Sequence, residues 1–323
     1  MNTMIKVGIV GVGAMGINHA RVLYELSQQG IVELVGVADI NYERALVVAK
    51  RFNISAYNNH RELMSRVDAA IIAVPTKVHK EITVEFIKAG IHVLIEKPIA
   101  DTIENAKEII KVAEKASVVV AIGHIERFNP AVVKLKEIID KGLLGEVITM
   151  TARRVGPFVS RVSDVSILVD LAVHDIDVMR YLVNSNVIKV YARGRKIRGD
   201  SLAEDYGLVV LTFENNADGL VETNRLTPHK VRELIVVGTK SIAYLDYIEQ
   251  KLTLYDEEWV KEAKIVKEEP LKLELLDFIE AVSRRRKPKV TALDGLYALK
   301  IAEEALRSIR VGQAVQLEHN FIH

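Results

Sequence analysis

Two places in this sequence carry side chains that could move a proton, and the first is Glu96-Lys97-Pro98. The proline restricts the residue before it to an extended backbone, so Lys97 has a fixed backbone direction and a long side chain that can be aimed. Beside another positive charge an ammonium is disfavoured, and such a lysine can shuttle a proton. The alternative is an ordinary exposed loop lysine.

The second place is Asp170 and His174, four residues apart in a segment with a helical pattern. That spacing puts both side chains on one face of an α-helix. An acid one turn away can orient an imidazole and stabilise its protonated form, which suits a general base. A surface ion pair on a helix is the alternative.

A glycine-rich turn near the start predicts a different kind of site. The run that begins at Ile5 is typical of a buried parallel strand, and Gly11-x-Gly13-x-x-Gly16 follows it at the start of a helical pattern. Gly11 permits the tight turn, Gly13 lets the backbone approach a pyrophosphate, and Gly16 lets the helix lie close to the strand. The phosphates then lie at the helix N-terminus. The predicted dinucleotide-binding loop is Gly11, Val12, Gly13, Ala14 and Met15.

Asp39 ends the second predicted strand, where a dinucleotide site needs an acid. Its carboxylate would accept hydrogen bonds from the adenosine ribose hydroxyls and would repel a 2′-phosphate, which favours NAD over NADP. Arg44 lies nearby in sequence and keeps NADP open as an alternative cofactor. The structural alternative for Asp39 is a turn residue at the end of a strand.

Further residues at the same sheet edge are expected to face the cofactor. The strand from Asp68 ends at Val74, because Pro75 cannot donate to a ladder. In a doubly wound sheet, ligands bind outside the carboxyl ends of the strands. The predicted cofactor contacts at this edge are Val74, Pro75, Thr76, His79, Glu96 and Lys97. For His79, a structural place in the first turn of a helix is an equal alternative.

The predicted elements that position these residues form two domains. Residues 1–124 alternate strands with helices, which is the α/β pattern of a Rossmann fold with a doubly wound parallel sheet. From Gly145 the pattern changes to consecutive strands joined by short turns, which indicates an antiparallel sheet in a second domain, residues 125–323. Those strands are predicted at 146–155, 187–197, 205–213, 219–226, 233–237, 242–247 and 251–255.

Candidates for substrate contacts lie at the domain boundary and in the strand after it. Arg127 has a planar fork suited to hydroxyls or phosphate. Asn129 precedes Pro130, which is a strong helix start, so a capping role is at least as well supported as a substrate contact. Arginines that could meet a diphosphate are Arg153, Arg154 and Arg161.

Composition narrows the class of protein. The chain has 323 residues, 49% of them hydrophobic, which is enough for two buried cores. The formal net charge is +1, so no long-range field favours binding to nucleic acid or to an anionic membrane. The absence of cysteine rules out disulfides and thiolate metal sites, and we expect a cytoplasmic protein without a metal.

Four features resemble the Gfo/Idh/MocA oxidoreductase family along essentially the whole chain: the glycine turn, Glu96-Lys97-Pro98, Gly123-His124 with Arg127, and Asp170-x-x-x-His174. The resemblance implies a Rossmann domain, a second α/β domain with a large open antiparallel sheet used in oligomerisation, bound NAD or NADP, and oxidation of a sugar-like secondary alcohol. It assigns catalytic roles to Lys97, Asp170 and His174 and implies a cis Lys97-Pro98 bond. The stretch GHIERFNPA and the strand segment Arg153-Arg154-Val155-Gly156 are similar to the UDP-N-acetylglucosamine 3-dehydrogenase branch.

We therefore expect an NAD(P)-dependent dehydrogenase of a sugar or nucleotide sugar that forms a homodimer or homotetramer. His174 is narrowly favoured over Lys97 as the base, with Lys97 also stabilising the developing alkoxide. The expected substrate contacts are Lys97, Arg127, Asn129, Arg154 and His174. One alternative is an inositol or free-aldose dehydrogenase, which needs no arginine cluster for phosphate. Another is a non-catalytic NAD-sensing regulator, against which the presence of both Lys97 and His174 argues.

Overall fold

The computed structural model describes residues 4–158, 166–198 and 203–318. The chain divides into two compact units. The first contains the residues up to Ile125 together with Leu271–Leu296, and the second contains Glu126–Pro270 and the residues from Tyr297 onward. The chain thus returns to the first unit late in the sequence, which differs from the single boundary predicted at 124/125.

The first unit is built on a six-stranded parallel sheet in the order β3-β2-β1-β4-β5-β6. This is the strand order of the Rossmann fold that the alternating pattern predicts. Its strands are β1 (Ile5–Val10), β2 (Val32–Ala38), β3 (Ser55–Tyr57), β4 (Ala69–Ile72), β5 (His92–Glu96) and β6 (Val120–Gly123). Its helices are α1 (Ala14–Gln28), α2 (Tyr42–Phe52), α3 (His60–Met64), α4 (His79–Lys88) and α5 (Ile103–Ala116).

Burial on both faces explains why these strands are continuous apolar runs. Every residue of β4 is buried, and Val7 and Ile9 of β1 are completely inaccessible. The late helix Pro270–Arg284 adds Leu275 and Phe278 to the same core, which accounts for the return of the chain to this unit. A parallel sheet needs helices on both faces, and this helix supplies part of that cover.

The second unit contains a nine-stranded sheet in the order β14-β13-β12-β11-β7-β10-β9-β8-β15. Its neighbours are antiparallel except for β7 and β10, which are parallel. The strands are β7 (Val147–Val155), β8 (Val187–Arg195), β9 (Tyr206–Phe213), β10 (Asp218–Asn224), β11 (Val231–Gly238), β12 (Ile242–Asp246), β13 (Lys251–Tyr255), β14 (Val260–Glu262) and β15 (Val315–Gln316). The short strands β14 and β15 were not predicted from the sequence.

Helices cover one face of this large sheet. α6 (Pro130–Asp140) and α7 (Val173–Val183) pack on the sheet, as do the residues of α9 (Ala292–Val311) that belong to the second unit. α8 (Pro270–Arg284) is the late helix of the first unit. On the other face, strand register places six partly or fully exposed residues side by side, and we call them the open-face row: Tyr191, Val210, Leu220, Thr151, Ile235 and Tyr244. No helix covers this side of the sheet among the described residues of the second unit. Among the described residues, no helix is long and apolar enough to span a bilayer.

Candidate functional site

The glycine turn has the geometry that its spacing predicts. Gly11 has φ +88°, and a Cβ there would lie 2.5 Å from the carbonyl oxygen of Ala73. A Cβ on Gly16 would overlap the carbonyl oxygen of Gly11, so this position must be glycine for α1 to approach the strand. A Cβ on Gly13 would meet no heavy atom within 4 Å. That open space lies at the N-cap of α1, where no side chain caps the helix, so the first amides of α1 are available to a pyrophosphate.

Asp39 supports the glycine turn and is suited to a ribose. It is 8% exposed, and its Oδ2 accepts a hydrogen bond from the Val12 amide at 2.9 Å while Oδ1 accepts one from the Asn41 amide at 2.8 Å. Each carboxylate oxygen has a second lone pair for a hydroxyl. Arg44 lies 3.7 Å from Oδ2, with half of its side chain exposed. The open space at Gly13 and the fixed carboxylate of Asp39 together fit the diphosphate and ribose of NAD.

His79 bridges two loops at the carboxyl edge of the sheet. It begins α4 and is 1% exposed; its Nε2 lies 2.8 Å from the carbonyl oxygen of Val74 and its Nδ1 lies 2.9 Å from that of Pro98. Burial lowers the pKa of His79 despite these two backbone contacts. His79 thus occupies the structural place in the first turn of a helix that was the alternative interpretation of its sequence position. Its predicted contact with the cofactor stays a prediction. Pro75 and Thr76, at the start of the intervening turn, are exposed and partly exposed.

Glu96 uses its carboxylate inside the first unit. Its Oε1 lies 2.7 Å from Nε2 of His19 on α1, and its Oε2 accepts a hydrogen bond from the Lys97 amide at 3.2 Å. Burial raises the pKa of Glu96, but His19 and Lys97 outweigh that effect and hold it below its usual value. The Lys97-Pro98 bond is cis, as the family resemblance implies. Glu96 was predicted to contact the cofactor, and that contact stays a prediction.

A second buried carboxyl lies near Glu96 and was missed by sequence reasoning. Glu274 of α8 is 2% exposed. Burial raises the pKa of Glu274 well above its usual value, and the charges of Glu96 and Asp277 raise it further. The sequence contains a signal for this residue, because Glu274 falls between Leu271 and Leu275 on the apolar side of a helical pattern.

In the second unit, Asp170 lies in a π-helical turn, Leu168–Ala172, that leads directly into α7. The turn inserts an extra residue, so the regular α-helical spacing assumed for Asp170 and His174 does not apply unchanged. Asp170 Oδ2 accepts a hydrogen bond from Nη2 of Arg225 at 2.6 Å. His174 lies in the first turn of α7 and is partly buried. Arg225, which is 5% exposed and directly follows β10, was not predicted.

Arg154 is the centre of a buried ionic network. Its guanidinium contacts both carboxylate oxygens of Asp175, at 2.6 and 3.1 Å, and Oε1 of Glu126 at 2.9 Å, and it lies 5.1 Å from the ring centroid of Tyr247. Burial alone would lower the pKa of Arg154, but the two carboxylates raise it, so the residue stays charged. Its predicted contact with a diphosphate stays a prediction beside this internal role. The sequence signal for the burial of Arg154 is the alternation of side chains along the strand, since Arg154 shares a face with buried Met150 and Ala152.

Arg127 and Asn129 also have internal partners. Arg127 forms a two-point contact with Asp177, with distances of 2.7 and 2.6 Å. Asn129 caps α6 by accepting a hydrogen bond from the Ala131 amide at 3.1 Å, and it donates one to the carbonyl oxygen of Tyr247 at 3.0 Å. The capping alternative is therefore confirmed, and the substrate contacts of both residues stay predictions.

The other two candidate arginines are not part of this network. Arg153 lies on the outer face of the sheet with half of its side chain exposed, and its Nε is 3.1 Å from a carboxylate oxygen of Glu222. Arg161 lies outside the described residues.

Comparison with known proteins agrees with both units. Residues 5–124 match the model described as "Oxidoreductase family, NAD-binding Rossmann fold", and residues 132–244 match the "GFO/IDH/MocA C-terminal domain". The chain belongs to the Gfo/Idh/MocA family of oxidoreductases. It is an enzyme of the dehydrogenase type with an NAD-binding Rossmann fold, which confirms the resemblance drawn from the motifs.

Among its relatives, UDP-N-acetylglucosamine 3-dehydrogenase of Acidithiobacillus ferrooxidans is 28% identical, in an alignment that covers 94% of this chain and 96% of the relative. Myo-inositol 2-dehydrogenase of Thermotoga maritima is also 28% identical, in an alignment that covers 97% of this chain and 99% of the relative. A solved structure of the Acidithiobacillus ferrooxidans enzyme aligns with a TM-score of 0.88 at 27% identity, over 96% of this chain and 99% of that chain. Identity alone does not separate the two substrate classes.

Proposed function

We propose that this protein is an NAD-dependent dehydrogenase that oxidises a secondary alcohol of a nucleotide sugar, with UDP-N-acetylglucosamine as the first candidate substrate. The observation that carries the oxidoreductase chemistry is the open, uncapped start of α1 at Gly13 with the buried carboxylate of Asp39 beside it. The substrate class is supported by one relative that aligns with this chain at full length in both sequence and structure, UDP-N-acetylglucosamine 3-dehydrogenase.

The first unit would bind the cofactor through groups already held in place. The amides at the start of α1 would donate hydrogen bonds to the pyrophosphate, and Asp39 would accept them from the adenosine ribose. When bound, NAD supplies the hydride acceptor. Asp39 is fixed by the Val12 amide, so the acid is held in place before the ribose arrives.

The proton would be handled by Lys97, His174 and Asp170. His174 would accept the hydroxyl proton at a ring nitrogen, and Asp170 would orient the ring and stabilise its charged form. The ammonium of Lys97 would donate a hydrogen bond to the substrate oxygen as negative charge develops there. Arg225 donates a hydrogen bond to Asp170 at 2.6 Å and so holds that carboxylate in place.

An inositol or free-aldose dehydrogenase is the second candidate, and one observation favours it. The guanidinium groups of Arg154 and Arg127 are engaged by Asp175, Glu126 and Asp177, which reduces the case for an arginine cluster that binds a diphosphate. A relative named myo-inositol 2-dehydrogenase matches with the same identity as the nucleotide-sugar enzyme.

The two candidates are separated by a substrate panel. Formation of NADH would be followed with UDP-N-acetylglucosamine, free N-acetylglucosamine, myo-inositol and scyllo-inositol. We expect turnover with the nucleotide sugar and little with the free sugar. Turnover confined to the inositols would favour the second candidate. Calorimetric binding of NAD without turnover of any compound would favour a non-catalytic NAD-sensing regulator.

We also propose that the protein is a homodimer or homotetramer. The open-face row is not covered by any helix of the described chain, and an uncovered apolar strip across six strands is a typical contact surface. Light scattering at micromolar concentration should give a multiple of the monomer mass, and Val210→Glu should reduce it. Val266→Glu, at an 81% exposed valine outside the sheet, is the matched control. A monomer mass for the unmodified protein would contradict the proposal.

A further inference from the structure

The residues on either side of Lys97, which are Glu96 and Pro98, each contact a buried histidine. We propose that His19 and His79 are positioning residues that fix the backbone of Lys97 from both sides. The inference rests on the proposed function, because it is the role of Lys97 in proton handling that makes its position important. Neither histidine belongs to the proposed set of proton-handling residues.

His19 acts on the residue before Lys97. It lies on α1, is completely buried, and contacts Oε1 of Glu96 at 2.7 Å. The other oxygen of the same carboxylate accepts the Lys97 amide at 3.2 Å. Gly123 on the neighbouring strand leaves room for this carboxylate, since a Cβ there would lie 3.2 Å from Oε2. His19 therefore orients the group that holds the Lys97 amide.

His79 acts on the residue after Lys97. Its Nδ1 lies 2.9 Å from the carbonyl oxygen of Pro98, and its Nε2 lies 2.8 Å from that of Val74. Carbonyl oxygens only accept, and a neutral imidazole has one N–H, so at neutral pH the ring donates to one of the two at a time. The buried ring is thus a link between the loop after β4 and the loop that carries Lys97.

Together the two contacts restrain the chain immediately before and after Lys97. The lysine side chain has four rotatable bonds, which must be ordered when the ammonium meets a substrate. Because the backbone is already fixed, no further backbone entropy is lost at that point. A displacement of about 1 Å in a catalytic group can cost about a hundredfold in rate. Two histidines that serve only the stability of the core would have no such selective effect on turnover.

The test uses paired variants of the full-length chain. Asparagine places an amide near the position of Nδ1, and glutamine places one near Nε2, so His79→Asn keeps the contact with Pro98 while His79→Gln keeps the one with Val74. His19→Gln keeps a donor to Glu96, and His19→Leu removes it. His60→Gln is the matched control, because His60 also pairs with a glutamate of the first unit, Glu85, at 2.9 Å. Lys97→Ala is the reference for complete loss of the lysine.

Two readouts are measured, NADH formation from UDP-N-acetylglucosamine and hydrogen exchange of the Lys97 amide in the chain without added ligand. His19→Leu and His79→Gln should lower kcat about tenfold to a hundredfold. The KM for NAD should change less than about threefold, since neither contact serves the dinucleotide loop. Both variants should speed exchange at Lys97 and leave β1 unchanged. His19→Gln and His79→Asn should restore most of both properties.

Each outcome decides one claim. If His19→Leu and His79→Gln match His60→Gln in turnover and in exchange at Lys97, the positioning role is overturned. Equal loss in His79→Asn and His79→Gln with weakened NAD binding would also overturn it, in favour of direct cofactor contact by His79. If Lys97→Ala keeps normal turnover, the proposed role of Lys97 in handling the proton fails instead. If the unmodified protein does not turn over this substrate, the exchange measurement alone decides whether the two histidines hold the Lys97 backbone.

Discussion

The two segments that carry the proposed proton-handling residues are held in different ways. Around Lys97 the contacts come from two buried histidines, which meet one carboxylate and two backbone carbonyls. Around His174, three aspartates of one helical segment each pair with an arginine from elsewhere in the second unit. These pairs are Asp170 with Arg225, Asp175 with Arg154, and Asp177 with Arg127.

The difference concerns how much charge is buried to hold each segment. A histidine contact to a carbonyl can be neutral and is replaceable by an amide of similar shape. A buried arginine and aspartate fix a helix against a strand with strong directionality, but removing one partner leaves an unpaired charge. The segment around His174 should therefore tolerate substitution less well than the segment around Lys97, while the latter should respond more to pH.

The largest effect is expected from breaking an ion pair of the second segment. Arg154→Met leaves the buried Asp175 and the partly buried Glu126 without their common partner, which should lower the free energy of unfolding by about 3–5 kcal/mol. Urea unfolding measures this loss. Arg153→Met is the matched control, because the neighbouring Arg153 is half exposed and pairs with Glu222 at 3.1 Å. It should cost about 1 kcal/mol or less. Similar losses in the two variants would remove the distinction between the segments.

The next effect concerns turnover, in which both segments should matter. Lys97→Ala and His174→Ala should each lower kcat by about a hundredfold or more, the range for a lost acid or base group. Asp170→Asn should be milder, because it removes the orienting charge and leaves the imidazole. Binding of NAD should change more in Lys97→Ala than in His174→Ala. If His174→Ala kept near-normal turnover, Asp170 and His174 would be a structural pair and Lys97 the sole candidate base.

Cofactor choice should depend on the first unit alone. NAD should bind more tightly than NADP, and Asp39→Ser should narrow the difference by about tenfold, since a hydrogen bond to a charged group contributes about 1.5–3 kcal/mol. Titration of both cofactors by calorimetry measures the two affinities. Arg225→Lys, in the second unit, should leave the ratio of the affinities for NAD and NADP unchanged. Equal affinities in the unmodified protein would contradict the role given to Asp39.

The smallest effect is a pH dependence that comes from His79. Its pKa in the folded protein is lowered from 6.5 by burial, so between that lowered value and 6.5 the unfolded chain binds more protons than the folded one. The contribution of His79 to the free energy of unfolding is complete above about pH 6.5 and decreases as the pH falls. The loss is at most about 1.4 kcal/mol for each pH unit between 6.5 and the lowered pKa. Urea unfolding over this range should show the slope, and His79→Asn should flatten it. An unchanged slope in His79→Asn would assign the dependence to other groups.

The sequence by itself predicted those features that depend on residues close together along the chain. Asp39 was predicted at the end of the second strand, and β2 ends at Ala38, directly before it, because the apolar pattern of a strand is a local property. The roles of Gly11, Gly13 and Gly16 followed from their spacing between the first strand and the helix after it, and the structure adds the carbonyl oxygen of the distant Ala73 as a second reason for a glycine at Gly11. The second sheet was also predictable as a run of short strands.

Only the tertiary structure decided which charged side chains are joined. His19 and Glu96 are 77 residues apart, and Arg225 and Asp170 are 55 apart, so no local pattern connects them. The same holds for α8, whose apolar face is evident in the sequence but whose place in the core of the first unit is not. Strand period shows that Arg154 faces inward, yet its partners depend on how α7 packs on β7. A single sequence determines local geometry, while buried polar groups take their partners from packing between distant segments.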